Sequence, residues 1–242
     1  MKESRNLNDD LKKLINNFEY VVGVDEVGRG CIAGPLVVCA VVVKPSTYIE
    51  GVKDSKLLSP KQRESLLSLI VQKVEDIGIG FLSNKFIDDF GIGISIRIAI
   101  LEALSNLNRI PKLIITDYVN IKSETVENFL NSSNLPTSKL NRYKEIYGRL
   151  KKFDWATLFK ERDDECIFYL SLKKADVFIH SVSIASVVAK VLRDRYMKHI
   201  SRKYPEYHFD RNKGYGTREH IEAIEINGIS DIHRLSFKYS KF

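Results

Sequence analysis

Two uninterrupted apolar runs constrain this chain most: Tyr20 to Asp25 (YVVGVD) and Leu36 to Val43 (LVVCAVVV). Neither alternates between apolar and polar residues, so each reads as a strand buried on both faces. A sheet covered on both faces needs helices on both sides, which favours an α/β layer fold. Gly28, Gly30, Gly34 and Pro35 punctuate the gap between the runs.

The remaining elements fit that class. Ser59 with Pro60 and Gln62 forms a capping-box start, and Leu66, Leu67, Ile70 and Val74 follow at helical spacing. Strands are expected at Ile77–Phe81, Lys112–Asp117 and Cys166–Leu172. Helices are expected at Ile94–Leu107, Glu124–Leu130, Val182–Tyr204 and Thr217–Ile226, with Gly228 as a C-terminal cap. Residues 1–19 read as a polar extension and 20–242 as a single domain. The stretch 131–165 reads as an insertion or surface excursion, anchored by Trp155, the only tryptophan.

Composition removes several classes. No apolar run approaches the roughly 20 residues that span a bilayer. The polar, mixed-charge start does not read as a signal peptide. Cys31, Cys39 and Cys166 are odd in number and form no CxxC, which disfavours a disulfide framework or structural zinc. A reducing cytoplasm is the expectation. The net charge of +7 is compatible with a polyanionic partner but does not require one.

Three acidic sites stand out. Asp25-Glu26 closes the first apolar run, and adjacent carboxylates on a strand point to opposite faces unless the strand stops or kinks. Asp117 closes another strand, where ligands of α/β sheets gather. Asp176 precedes the long helix. Each alone reads equally as a turn or solvated residue. Together they would form an all-oxygen set suited to Mg²⁺ or Mn²⁺. The histidines show no ligand spacing, and four of the five lie in the last 50 residues. Gly28, Gly30 and Ala33 fit a relaxed dinucleotide fingerprint, but they lead into a strand and not a helix.

Several blocks, in order, resemble ribonuclease HII. They are Gly23-Val24-Asp25-Glu26-Val27-Gly28-Arg29-Gly30, Ala33-Gly34-Pro35, and Asp54-Ser55-Lys56-Leu57-Leu58-Ser59. Ser183 to Val191 (SIASVVAKV) and Arg193-Asp194-Arg195 follow. Lys213 to His220 (KGYGTREH) and His233-Arg234-Leu235-Ser236-Phe237 close the series.

The resemblance implies a ribonuclease H-like fold, a mixed central sheet flanked by helices, with C-terminal helices. It implies an endonuclease that cuts RNA in RNA–DNA hybrids and at ribonucleotides embedded in duplex DNA. Such an enzyme would serve ribonucleotide removal and primer clearance. The family's two-metal hydrolysis uses Mn²⁺ or Mg²⁺ and leaves 5′-phosphate and 3′-hydroxyl ends. The resemblance places its carboxylates at Asp25, Glu26, Asp117 and Asp176. It places 2′-hydroxyl recognition at Gly28, Arg29 and Gly30, and a sugar contact at Tyr215 on the DNA side of the junction. Lys56 and Lys190 would meet phosphate, although a structural ion pair suits them equally. The implied enzyme is a monomer.

The chain departs from the family at Tyr118, where glycine is common, and in its longer stretch between Asp117 and Asp176. The helix near Ile94 lacks the polar residue often found at its start. The extension before Tyr20 is too short for the additional domain usual in ribonuclease HIII. The tail Tyr239–Phe242 has no clear replication-clamp motif. Two other readings remain at this level: a nuclease of the same fold acting on all-DNA duplexes, and a non-catalytic hybrid-binding module.

Overall fold

A computed structural model describes residues 7–52, 58–152 and 166–238. Its centre is a six-stranded mixed sheet in the order β3-β2-β1-β4-β6-β5. The strands are β1 (Val21–Val27), β2 (Leu36–Val43), β3 (Asp76–Leu82), β4 (Leu113–Asp117), β5 (Leu150–Lys152) and β6 (Ile167–Leu172). β1, β2 and β3 form an antiparallel meander, while β4 pairs parallel with β1 and β6 parallel with both β4 and β5.

The pleat explains the apolar runs. Leu36, Val38, Ala40 and Val42 enter the core on one face of the sheet, and Val37, Cys39, Val41 and Val43 enter the core on the other. Helices α3 (Asn84–Ser105), α4 (Glu124–Ser132) and α5 (Thr137–Arg149) cover the first face. Helices α1 (Leu7–Asn16), α2 (Pro60–Lys73) and α7 (His180–Ile200) cover the second. At Gly23 a Cβ would stand 2.1 Å from the Ser181 carbonyl carbon, so α7 seats directly on β1. All three cysteines are buried and none forms a disulfide.

A third, smaller apolar cluster lies beyond the sheet. Met197 at the end of α7 joins Tyr207, Phe209, Ala223 and Ile232 around Ala33. This C-terminal module contains a 3₁₀ turn (Pro205–Tyr207), α8 (Phe209–Asn212) and α9 (Arg218–Asn227). Asn84 ties it to α3 by donating to the carbonyls of Asp231 and His233. Asp88 accepts from the backbone of Leu235 and Ser236.

Several boundaries differ from the sequence reading. β1 continues through Glu26 to Val27, because its pairing with β2 persists as far as Val27–Val37. α3 begins ten residues before Ile94, capped by Ser83, and bends at Gly91, whose φ is 76°. α7 begins at His180 and ends at Ile200, two residues before and four before the expected limits. Within 131–165, residues 137–152 form α5 and β5, and Tyr143, Ile146, Tyr147 and Leu150 join the core of the first face. Trp155, Lys56 and the tail Tyr239–Phe242 lie outside the described residues. Among the described residues, no helix is long and apolar enough to cross a membrane.

Candidate active site

The carboxylates are gathered by the parallel half of the sheet. Val24 of β1 stands beside Thr116 of β4, so Asp25 and Asp117 lie at the same end of neighbouring strands. Asp117 in turn stands beside Leu172, the last residue of β6. The chain then turns through Lys173 and Lys174 into the short helix α6 (Ala175–Phe178), which carries Asp176. Asp117 fixes that turn by accepting the Ala175 N–H at 3.0 Å through Oδ1.

Strand alternation still separates Asp25 from Glu26. Asp25 shares the face of Gly23 and meets Ser186 of α7, while Glu26 shares the face of Val22 and Val24. The cavity at the end of β1 reaches both. It holds about 370 Å³ and is lined by Asp25, Glu26, Asp117 and Asp176 with Arg63, Ser186, Lys190 and Tyr215. Two larger cavities, about 420 and 460 Å³, open at the other end of β1, away from these carboxylates.

Burial dominates the electrostatics. Asp25 is pushed up to about 8, first by desolvation and then by the neighbouring Glu26 charge, against a stabilising hydrogen bond from Ser186. Glu26 is pushed up to about 7 by burial, with Arg29 opposing and Asp117 and Asp176 adding to the rise. Its ion pair with the exposed Arg29 is loose, at 3.9 Å.

The donors suit a hard divalent cation: they are all carboxylate oxygens, and a nearby positive charge would relieve the cost of ionising Asp25 and Glu26. Among the described residues, no three His, Cys, Asp or Glu side chains close on one point as a complete ligand set would. The four carboxylates line a shared cavity instead, which leaves space for water in the coordination shell, as Mg²⁺ prefers.

Of the other expected residues, Lys190 and Tyr215 line this cavity, and Gly28 follows its lining residue Val27. Gly28 has a φ of 97°, and a Cβ there would meet Arg193 Nε at 2.4 Å and the Pro35 carbonyl at 2.7 Å. Lys190 pairs with Asp194 at 2.7 Å and also lines the cavity. Tyr215 is partly exposed, with Lys190 and Arg193 each within 6 Å of its ring centre. Burial chiefly, with the Cys31 thiol beside it, raises the phenol to about 12. Tyr118 adopts φ 45° and is exposed, so the turn after Asp117 keeps a left-handed residue without glycine.

Four contributors escaped the sequence reading. Arg63 reaches the cavity from the first turn of α2, a position the helical pattern marks only as surface. Ser186 meets Asp25 from α7. Fully buried Arg193 donates to the carbonyls of Pro35, Lys213 and Ala33 at 2.7–3.0 Å. Fully buried Arg234 donates to the carbonyls of Gly34 and Arg29 at 3.0 and 3.2 Å. Arg193 thus ties residues 33–35 to Lys213, and Arg234 ties Arg29 and Gly34 to the C-terminal segment. Both lay in recognised blocks, yet an arginine in a sequence carries no sign that its partners are distant carbonyls.

The sequence model for ribonuclease HII matches residues 22–143 and 156–240. The chain belongs to the ribonuclease HII family. A ribonuclease HII from Caldicellulosiruptor bescii is 34% identical over 238 residues, covering 98% of this chain and 96% of the relative. One from Bacillus cereus strain B4264 is 37% identical over 218 residues, covering 90% and 68%. The crystal structure of ribonuclease H2 from Pyrococcus horikoshii superposes with a TM-score of 0.65 at 26% identity, covering 91% of this chain and 94% of that one. The sheet and its helices are therefore a ribonuclease H-like fold. The activity of the ribonuclease HII family is endonucleolytic hydrolysis of RNA in RNA–DNA hybrids, and this chain is an enzyme of that class.

Proposed function

We propose that this ribonuclease HII also cuts at single ribonucleotides embedded in duplex DNA, through Asp25, Glu26, Asp117 and Asp176 acting on Mn²⁺ or Mg²⁺. The observation that carries this reading is the single cavity that all four carboxylates share with Arg63, Lys190 and Tyr215. Two such ions, held there, would supply a more acidic water and charge stabilisation at the leaving oxygen of the phosphodiester. The chain's own residues do the rest. The four carboxylates would hold the ions, and Ser186 orients Asp25. Arg63 and Lys190 face the incoming phosphate. Water is then added across the P–O bond, giving 5′-phosphate and 3′-hydroxyl ends.

Substrate choice follows from the segment Gly28-Arg29-Gly30. A Cβ at Gly30 would meet nothing within 4 Å, so the protein's own packing does not demand glycine there. Close approach of a nucleic-acid backbone does, and the 2′-hydroxyl is the group that separates RNA from DNA. Tyr215 supplies a flat, partly exposed ring for the sugar on the DNA side. We read residues 20–242 as one catalytic unit, with 1–19 as an extension. The family match lapses over 144–155, which supports an insertion inside 131–165.

The test is cleavage of a duplex carrying one ribonucleotide, with Mn²⁺, Mg²⁺ or chelator. Cleavage at that ribonucleotide, lost on chelation, is the expected result. Equal cleavage of an all-DNA duplex would support the nuclease alternative instead. Asp25→Asn is expected to reduce the rate by about 10³-fold or more. It should bind substrate normally and unfold at an equal or higher temperature in chelator, because it removes a carboxyl that must take up a proton to be buried at neutral pH.

A further inference from the structure

The C-terminal module contains a buried histidine pair that the chemistry above does not use. His220 and His233 are fully buried, with their Nε2 atoms 3.0 Å apart. His220 Nδ1 stands 2.8 Å from the carbonyl oxygen of Tyr215. A carbonyl only accepts, so His220 Nδ1 carries the proton. At the far end, His233 Nδ1 accepts the Ser230 N–H at 2.9 Å. Its proton therefore sits on Nε2 and points to His220 Nε2. Both tautomers are fixed by their partners, and both rings are neutral. A proton added to His220 would put two hydrogens between the Nε2 atoms. Burial lowers both rings in keeping with this.

The far end of the relay is anchored. The His233 backbone bridges to Ala33, its carbonyl accepts from Asn84, and Arg234 follows it directly. The near end holds the residue whose ring faces the catalytic cavity. The Gly214 carbonyl already accepts from Ile32 and Ala33, which fixes the chain one residue earlier. The Tyr215 N–H donates to the Asn212 carbonyl and its own carbonyl accepts the Thr217 N–H at 2.8 Å, both from the same loop; His220 is the side chain that ties this oxygen to the buried histidine pair.

We infer that His220, set in its tautomer by His233, is a positioning residue for Tyr215 and thereby for discrimination at the ribonucleotide–DNA junction. This rests on the reading of Tyr215 as the sugar contact. His220 touches neither substrate nor the reacting atoms, so its effect falls on selectivity more than on hydrolysis.

Two near-isosteric variants separate the ends of the relay. His220→Asn places an amide where Nδ1 stood, keeping a donor for Tyr215 and losing the link to His233. His220→Gln places its amide where Nε2 stood, keeping that link and losing the donor. The readout is kcat/KM on a duplex with one ribonucleotide divided by kcat/KM on a continuous RNA–DNA hybrid. His220→Gln is expected to lower this ratio about five- to tenfold, the worth of one net hydrogen bond. His220→Asn should keep it within about twofold of wild type. In a Tyr215→Ala background, His220→Gln should produce no further change in the ratio.

Equal losses on both substrates, or a full His220→Gln effect without Tyr215, would overturn the inference. So would failure of both variants to fold, since the pair would then serve folding alone. The functional reading fails separately: a Tyr215→Ala enzyme with an unchanged ratio would show that Tyr215 does not read the junction.

Discussion

The two regions that meet at the active site are held together by different forces. The sheet and its helices cohere through apolar contact on both faces, with buried Val, Ile and Leu supplying most of the interior. The C-terminal module has a small apolar cluster, and it buries Arg193, Arg234, His220, His233 and Asn212 beside it. Dispersion and the hydrophobic effect are nearly direction-free, so the sheet core tolerates changes that keep its volume. Hydrogen bonds to buried carbonyls are directional, and losing a donor strands the acceptor. The carboxylates ride on the first kind of structure, while the loops that face the substrate are fixed by the second.

This contrast can be broken by exchange of volume for polarity. Arg193→Met keeps much of the side chain but leaves the carbonyls of Pro35, Ala33 and Lys213 without its donors. It is expected to cost about 3 kcal/mol or more in urea unfolding. Ile98→Leu on α3, equally buried, is expected to cost under about 1.5 kcal/mol. Similar costs for both would erase the distinction.

Acid sharpens it further. Unfolded, His233 titrates near 6.5; folded, burial and the neighbouring His220 depress it to about 4. The unfolded chain then binds more protons between those values. Stability is full above pH 6.5 and is lost as the pH falls toward 4, by up to about 3 kcal/mol. Amide exchange should show the C-terminal module opening before the sheet over that range. Uniform opening would show that the two regions melt as one.

The smallest effect belongs to the sheet side. Tyr118 holds a left-handed conformation immediately after Asp117, and its side chain is exposed and finds little packing to offset the strain. Tyr118→Gly is expected to raise stability by about 1 kcal/mol, read as a shift in the denaturation midpoint. A loss instead would mean that the ring packs more than its exposure indicates.

The same division decided what the sequence revealed. Continuous apolar runs announced β1 and β2 because burial on both faces writes itself into every residue. The capping box at Ser59 was legible because both of its bonds are local. The start of α3 was hidden because Gly91 interrupts the helical pattern and splits it into two short pieces. Glycines in β3 weakened its strand signature, yet at Gly78 a Cβ would lie 2.0 Å from the Ala103 carbonyl oxygen of α3. The carboxylates were visible as strand ends. Arg63, Ser186 and the partners of Arg193 and Arg234 were not, since their meaning depends on contacts made far along the chain.

The position of β5 carries a consequence for solubility. Among the described residues it is the last strand on its side of the sheet, three residues long, with Lys151 and Lys152 exposed. A short lysine-bearing border is a poor template for pairing with a strand from another molecule. Behind it lies β6, Ile167–Leu172, six residues of mostly apolar character. The 137–152 stretch thus works as a cover: without it, β6 would present an open, adhesive border on which chains could stack.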